Sequence, residues 1–245
     1  MRKFTPIEIN HLIKYGFDPF ELEKTVDLNI PVEYITNKTD FYDRDFLISN
    51  KTLIPRIESE KLIDIALENI LPNEIFFADI GSGSGVIGLT FALELKRLSM
   101  KFIGYLSDIS DDALQVTKKN INNLLPEGNI IVIRSNLFEN YPEIKFDIIF
   151  ANLPYIPSSR INKLENSVKN YEPIVALDGG GNGLKYIDRV LNEGKRFLRK
   201  NGIIILEVDD THTEKVALKY SNFWNIKVEK DNRGKVRHWI CKSKL

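Results

Sequence analysis

The apolar run Phe146-Asp147-Ile148-Ile149-Phe150 leads directly into Ala151-Asn152-Leu153-Pro154-Tyr155-Ile156-Pro157. An asparagine at the end of a buried strand, held against a proline and an aromatic ring, could be a plain turn, because Asn favours turns. It could also do chemistry: the Asn152 side-chain oxygen and the Leu153 backbone carbonyl are two acceptors on one loop, which Pro154 stiffens and Tyr155 flanks with an aromatic ring.

A second constellation stands in Phe77-Ala78-Asp79-Ile80-Gly81-Ser82-Gly83-Ser84-Gly85-Val86-Ile87-Gly88. Glycines let the backbone turn tightly and approach a ligand. A literal G-x-G-x-x-G at Gly83, Gly85 and Gly88 raises a dinucleotide reading. Asp79 opposes it: a carboxylate two residues before Gly81 would repel a pyrophosphate and suits a cation, such as a sulfonium with its ammonium group. Asp108 closes Tyr105-Leu106-Ser107-Asp108 and is placed to accept ribose hydroxyls; its structural alternative is a helix cap. These features fit S-adenosyl-L-methionine better than a nicotinamide dinucleotide. In Arg134-Ser135-Asn136-Leu137-Phe138-Glu139, Asn136 either accepts the adenine amino group through its amide oxygen or serves a turn.

Strands and helices must bring these groups together. Residues 1–30 read as two short helices, the first opened by Pro6 and broken from the second by Gly16-Phe17-Asp18-Pro19. Aromatic and β-branched residues around polar punctuation from Tyr34 to Ile48 suggest a hairpin. From Glu58, the residues Leu62, Ile63, Ala66, Leu67 and Ile70 recur at helical spacing. Strands are then expected at Ile75–Ile80, Phe102–Leu106, Ile130–Ile133, Phe146–Phe150 and Gly202–Val208. Helices are expected at Val86–Leu98, Asp111–Leu124 and Leu184–Leu198. This alternation implies a parallel sheet covered on both faces. Phe223–Glu229 and Val236–Cys241 read as a closing antiparallel pair, making seven strands.

Composition narrows the function classes. The chain has 245 residues, 43% of them hydrophobic, enough for one large domain with a sizeable core. Lys+Arg and Asp+Glu both number 34, so the basic excess of a nucleic-acid binder is missing, and no stable nucleic-acid complex is expected. The locally basic tail, Lys227 to Lys244, reads as a solvated edge. Cys241 is the single cysteine, which excludes an internal disulfide and suits a reducing, cytoplasmic setting. His11, His212 and His238 are scattered, so no zinc site is expected. The N-terminus lacks the apolar run of a signal peptide, and the stretch Ala66 to Phe77 is broken by Asn69, Pro72, Asn73 and Glu74, so no membrane span is expected.

The loop Asp79, Gly81, Gly83, Gly85 with Asp108 resembles the class I methyltransferases, which carry acid-x-Gly-x-Gly-x-Gly after the first strand and an acid after the second. Asn152-Leu153-Pro154-Tyr155 resembles the catalytic loop, Asn or Asp followed by a variable residue, Pro and an aromatic, of those that methylate planar NH2 groups. The resemblance implies that Asn152 Oδ1 accepts one N–H and the Leu153 carbonyl the other, aiming the nitrogen lone pair at the methyl carbon. These bonds would strengthen as positive charge grows, and Tyr155 would stack on the planar group. No general base would be needed, because the methylated amide nitrogen is cationic and acidic enough to lose its proton to water. Flanking segments are more specific. Leu53-Ile54-Pro55-Arg56-Ile57-Glu58-Ser59-Glu60 resembles the L-I-P-R-P-E-T-E of the protein-(glutamine-N5) methyltransferases that modify peptide chain release factors (the HemK/PrmC family). Pro31-Val32-Glu33-Tyr34-Ile35 with Phe41-Tyr42 resembles that family's P-x-x-Y-I and F-Y. Tyr171 to Gly180 resembles its E-P-x-x-A-L-x-G-G stretch. The resemblance runs from Pro31 to the C-terminus. It departs at Ile57, which replaces a usual Pro, and at Leu206-Glu207-Val208-Asp209-Asp210-Thr211-His212, where the family has L-E-x-G-x-x-Q. The family's N-terminal helical domain, implicated in docking the release factor, is usually longer than the 30 residues before Pro31, so docking is expected to differ here.

The resemblance implies an α/β fold of the class I S-adenosylmethionine-dependent methyltransferase type: Rossmann-like, with a mostly parallel seven-stranded sheet, a short N-terminal helical cap and a β-hairpin. Residues 1–50 would form the cap and hairpin that dock a partner, and 51–245 the methyltransferase domain. Asn152, Leu153, Pro154 and Tyr155 would be catalytic and form the glutamine pocket. Asp79, Gly81, Ser82, Gly83, Ser84, Gly85, Asp108, Ile109, Asn136, Leu137 and Asn152 would hold S-adenosyl-L-methionine and release S-adenosyl-L-homocysteine. Arg56 and Glu58 would lie near the mouth; their structural alternatives are an ion pair and a helix start. The expected substrate is the glutamine of the Gly-Gly-Gln loop of class-1 release factors, acted on by a monomer. The alternatives are a glutamine of a large-subunit ribosomal protein and an amino group of a nucleic-acid base; a module that only binds cofactor and a nicotinamide-dependent reductase stand further off.

Overall fold

The structure, a computed structural model, describes residues 3–70 and 74–244. Pro72 and Asn73, read above as breaks in an apolar stretch, lie outside the described residues.

Three short helices open the chain: α1 (Pro6–Lys14), α2 (Pro19–Thr25) and α3 (Val32–Thr36). Thr5 and Glu8 form a capping box on α1, and Asp18 caps α2, each helix beginning with a proline whose missing N–H costs nothing there. Phe4, Leu12 and Val32 gather in a small core of their own. The hairpin expected from Tyr34 starts later. Tyr34 to Thr36 are helical, because Pro31 opens a turn that Asn37, at φ 54°, closes in the left-handed region. The hairpin itself is β1 (Lys38–Phe41) and β2 (Arg44–Leu47), joined through Tyr42 and Asp43, both at positive φ as a tight hairpin turn requires. Phe41 and Phe46 pin it to the main core.

A 3-10 turn (Ile57–Glu60) leads into α4 (Lys61–Glu68). The alternating segment follows as β3 (Ile75–Ile80), α5 (Val86–Arg97), β4 (Phe102–Asp108), α6 (Asp111–Leu124), β5 (Ile130–Arg134) and β6 (Phe146–Ala151). After β6 come α7 (Ser158–Ile161), α8 (Asn166–Tyr171) and α9 (Lys185–Gly194), then β7 (Leu198–Glu207), α10 (Glu214–Ala217), β8 (Trp224–Lys230) and β9 (Val236–Ser243). Helix α9 stops short of the expected Leu198. A 3-10 turn over Lys195–Phe197 tucks Phe197 into the core, so β7 starts at Leu198 rather than Gly202.

The seven main strands run in the order β5-β4-β3-β6-β7-β9-β8. The first five are parallel; β9 is antiparallel between β7 and β8. β3 and β6 are almost wholly buried, as parallel strands covered on both faces should be. The order in which successive strands are added across the sheet reverses between β3 and β6. The carboxyl ends of β3, β4, β5 and β6 border one crevice, where open α/β sheets bind ligands. Asn120 on α6 ties the hairpin to this crevice: its amide bonds both the N–H and the C=O of Leu47 and the carbonyl of Ser84.

Candidate active site

The crevice holds a cavity of about 310 Å³. One wall is the turn after β3. Gly81, Gly83 and Gly85 all have positive φ. At Gly81 a Cβ would also lie 2.6 Å from Leu153 Cδ2, so only glycine lets the two loops meet. Asp108 braces this wall: Oδ2 accepts the Gly83 N–H at 2.9 Å and Oδ1 the Ser110 N–H at 2.9 Å. Burial raises the Asp108 pKa, against the pull of these backbone donors. Asp79 lies beneath the loop, 1% exposed, with Oδ2 accepting the Gly88 N–H at 2.9 Å and Oδ1 without a hydrogen-bond partner. Burial, reinforced by Asp108 and opposed by Gly88, pushes its carboxyl up to about 7. The Ser82 hydroxyl lines the cavity, also buried and unpartnered.

The other wall is the loop after β6. Asn152 is half-buried; its Nδ2 donates to Glu207 Oε2 at 3.0 Å and to Ser59 Oγ at 3.1 Å. Both N–H donors are thus turned into the protein. Tyr155 donates its hydroxyl to Glu207 Oε1 at 2.7 Å, and burial beside this carboxylate holds the phenol pKa well up. The loop is pressed onto the segment after α8. Ile156 pairs with Leu177 and Gly179 by two backbone bonds, and a Cβ on Gly179 would stand 2.7 Å from the Pro154 carbonyl oxygen.

Longer reaches lock this second wall. Arg56 donates to Glu172 Oε1 at 2.5 Å and to the Ile54 carbonyl at 2.7 Å. The ion pair favours the charged forms, raising the Arg56 pKa; burial outweighs it at Glu172, whose pKa is also raised. His212 accepts the Asp209 N–H at Nδ1 and donates from Nε2 to the Asn182 carbonyl, partners that fix its tautomer. Arg160 caps the same turn on Asp209.

Of the residues expected in the site, Gly81, Ser82, Gly83, Ser84, Asp108, Ile109, Asn136, Leu137, Asn152, Leu153 and Pro154 line one cavity. Asp79, Gly85, Tyr155, Arg56 and Glu58 do not. Asp79 is turned to the loop backbone, not to the cavity. The Tyr155 hydroxyl is drawn to Glu207, and the residue stands behind the cavity lining. Arg56 faces Glu172, and Glu58 sits in the 3-10 turn with its carbonyl on His238. The Asn136 carboxamide is held from both ends, Oδ1 by Arg189 and Nδ2 by Glu139, leaving one lone pair on the oxygen. Sequence reasoning passed over Ser59 and Glu207 as working side chains. Their signal was present: both stand in stretches singled out for resemblance, but nothing local says they touch Asn152.

Comparison with known proteins agrees with this geometry. Residues 59–169 match the family described as Methyltransferase small domain. The release factor glutamine methyltransferase of Clostridium acetobutylicum is 37% identical over 230 residues, covering 92% of this chain and 78% of that protein. The bifunctional methyltransferase of Rickettsia typhi is 34% identical over 214 residues, but the chain spans only 40% of it. A methyltransferase from Pyrococcus furiosus superposes with a TM-score of 0.58 at 19% identity, over 86% of this chain and 93% of that one, a likeness of fold. The sheet order and these matches make the architecture that of a class I methyltransferase.

Proposed function

The chain belongs to the release factor glutamine methyltransferase family, and from that premise we propose that it transfers a methyl group from S-adenosyl-L-methionine to the side-chain amide nitrogen of a glutamine in the Gly-Gly-Gln loop of class-1 peptide chain release factors. One observation carries the reading: a single cavity joins the glycine loop and Asp108 to an asparagine whose N–H groups are both turned away from it.

The residues fit the cofactor. The Ser82 hydroxyl, buried without a protein partner, needs a ligand group to bond. Around Gly83 nothing lies within 4 Å of where a Cβ would be, which leaves room for a ligand against the backbone. The Asp108 carboxylate retains lone pairs for ribose hydroxyls, while Ile109, Asn136 and Leu137 suit an adenine. Asp79, once ionised, favours a cation above the loop, and the cation in turn favours its ionisation. When bound, the cofactor supplies an electrophilic methyl group on a sulfonium.

The protein's own part is to hold the amide. Asn152 Oδ1 accepts one N–H of the glutamine and the Leu153 carbonyl the other, so the lone pair is aimed and the growing positive charge is met by two acceptors. Pro154 and the Ile156 pairing keep these acceptors still. The proton is lost to water. A glutamine preceded by two glycines gives the slender, extended approach that a narrow pocket needs, and such a substrate puts the reaction in the cytoplasm. Among the described residues no helix is long and apolar enough to cross a membrane.

The test is mass spectrometry of both class-1 release factors of the source organism after incubation with enzyme and S-adenosyl-L-methionine. One added methyl on the Gly-Gly-Gln glutamine is the expected result. Cofactor binding with neither factor modified would leave the fold reading intact and overturn the substrate.

A further inference from the structure

Glu207 ends β7, 3% exposed, and stands behind the cavity lining that its partners Ser59 and Asn152 help to form. Its carboxylate takes three side-chain donors: Ser59 Oγ at 2.5 Å and Asn152 Nδ2 at 3.0 Å on Oε2, and Tyr155 Oη at 2.7 Å on Oε1. β7 is an interior strand, with Leu206 opposite Ala151 of β6 and Glu207 opposite His238 of β9, so the carboxylate is held on rigid framework.

Burial raises the Glu207 pKa, and the hydrogen bonds from Ser59 and Tyr155 oppose that by favouring the ionised form, which has no proton to give. Only the NH2 end of Asn152 can face it. The flipped amide would set Oδ1 against Oε2 and strip the buried carboxylate of a donor. Ser59 cannot rescue that flip while its own hydroxyl proton is used on Glu207. The charge acts a second way. A hydrogen bond from Nδ2 to an anion pushes electron density through the amide onto Oδ1 and makes that oxygen a better acceptor.

We infer that Glu207 is a positioning residue that locks the Asn152 amide with its oxygen toward the cavity, and so makes the site accept a glutamine amide and refuse a glutamate carboxylate. The inference rests on the glutamine reading above. A carboxylate substrate would bring oxygen lone pairs against two acceptors, where an amide brings two N–H donors. Selection of glutamine over its acid is thus set by a side chain that touches no substrate.

The experiment compares wild type, Glu207→Gln and Glu207→Ala with purified class-1 release factor. It measures kcat and KM, the cofactor Kd by calorimetry, and inhibition by two forms of the factor whose loop glutamine is replaced by glutamate or alanine. With wild type the glutamate form should inhibit about tenfold more weakly than the alanine form, because a site built to accept N–H groups rejects a group that lacks them. In Glu207→Gln, which keeps the side-chain volume but allows the flip, this preference should vanish and kcat should fall about tenfold, with cofactor Kd within about threefold of wild type. Glu207→Ala should lower kcat by about a hundredfold, the scale of one lost transition-state contact. A Glu207→Gln enzyme that keeps both its rate and its preference overturns the lock. So does one that loses rate and cofactor affinity together while the preference stays. A wild-type enzyme that methylates no factor overturns the glutamine reading first, and this inference with it.

Discussion

The wall that runs from Gly81 to Asp108 and the wall around Asn152 face one cavity, yet different bonds hold them. In the first, backbone N–H groups of Gly83, Gly88 and Ser110 meet two carboxylates across at most 25 residues of sequence. In the second, side chains meet side chains: Asn152 reaches Ser59 across 93 residues and Glu207 across 55, and Arg56 reaches Glu172 across 116. The first wall adds Thr117 and Asn120 of α6, on the Gly83 and Ser84 carbonyls, so it is built from one βαβα stretch of the chain. A wall of side chains needs the whole sheet assembled, and it can orient a reacting atom to the tolerance that catalysis asks.

If that division is right, the walls should fail separately. Asn152→Ala removes one transition-state acceptor and should lower kcat by about 10²- to 10³-fold, with cofactor affinity within about threefold by calorimetry; an equal loss of affinity would erase the division. Gly81→Ala strikes where the walls touch. A methyl there meets Leu153 at φ +72°, so strain of about 1–3 kcal/mol is expected. Thermal denaturation should show a Tm lower by several degrees, and affinity and rate should fall together, unlike the asparagine variant. The smallest effect belongs to pH. A cation above the loop favours ionised Asp79, so cofactor affinity should rise severalfold from pH 6 to pH 8, and Asp79→Asn should flatten that rise. Without cofactor the sign reverses. The folded chain favours the protonated form, so this group's contribution to stability is complete below its ordinary value of 3.8 and is lost as pH rises to about 7. Denaturant titrations across that window would check it.

The same contrast decides what could be read from the sequence. Gly81 to Gly85 and Asn152 to Pro154 carry their chemistry in contiguous residues, and all but Gly85 line the cavity as expected. The βα alternation was legible because buried parallel strands are continuous apolar runs. Glu207 was visible only as a letter of a motif; its task depends on β7 lying beside β6. Arg56 stood near the mouth on paper and turned to Glu172, a partner no local pattern names. Tyr34 to Thr36 look like strand by composition, but Pro31 and Asn37 bracket them into a turn of helix, a local boundary that overrides weak β preference. Leu198 to Asn201 joined β7 because Phe197, buried, ended the helix early.

His212 illustrates a different freedom. It stands where a glutamine is usual in the family that the chain resembles, and it bridges Asp209 and Asn182 with one ring nitrogen accepting and the other donating. A carboxamide offers the same pair, one acceptor and one donor, at similar reach. Evolutionary drift between the two residues therefore keeps the bridge while rewriting the letter. Asn152 cannot be exchanged for an imidazole in the same way, since a ring facing Glu207 could not also fill the place of a planar amide in the loop. Two neighbouring turns of one crevice thus differ in how many spellings they tolerate, and the count follows from what each hydrogen bond is for.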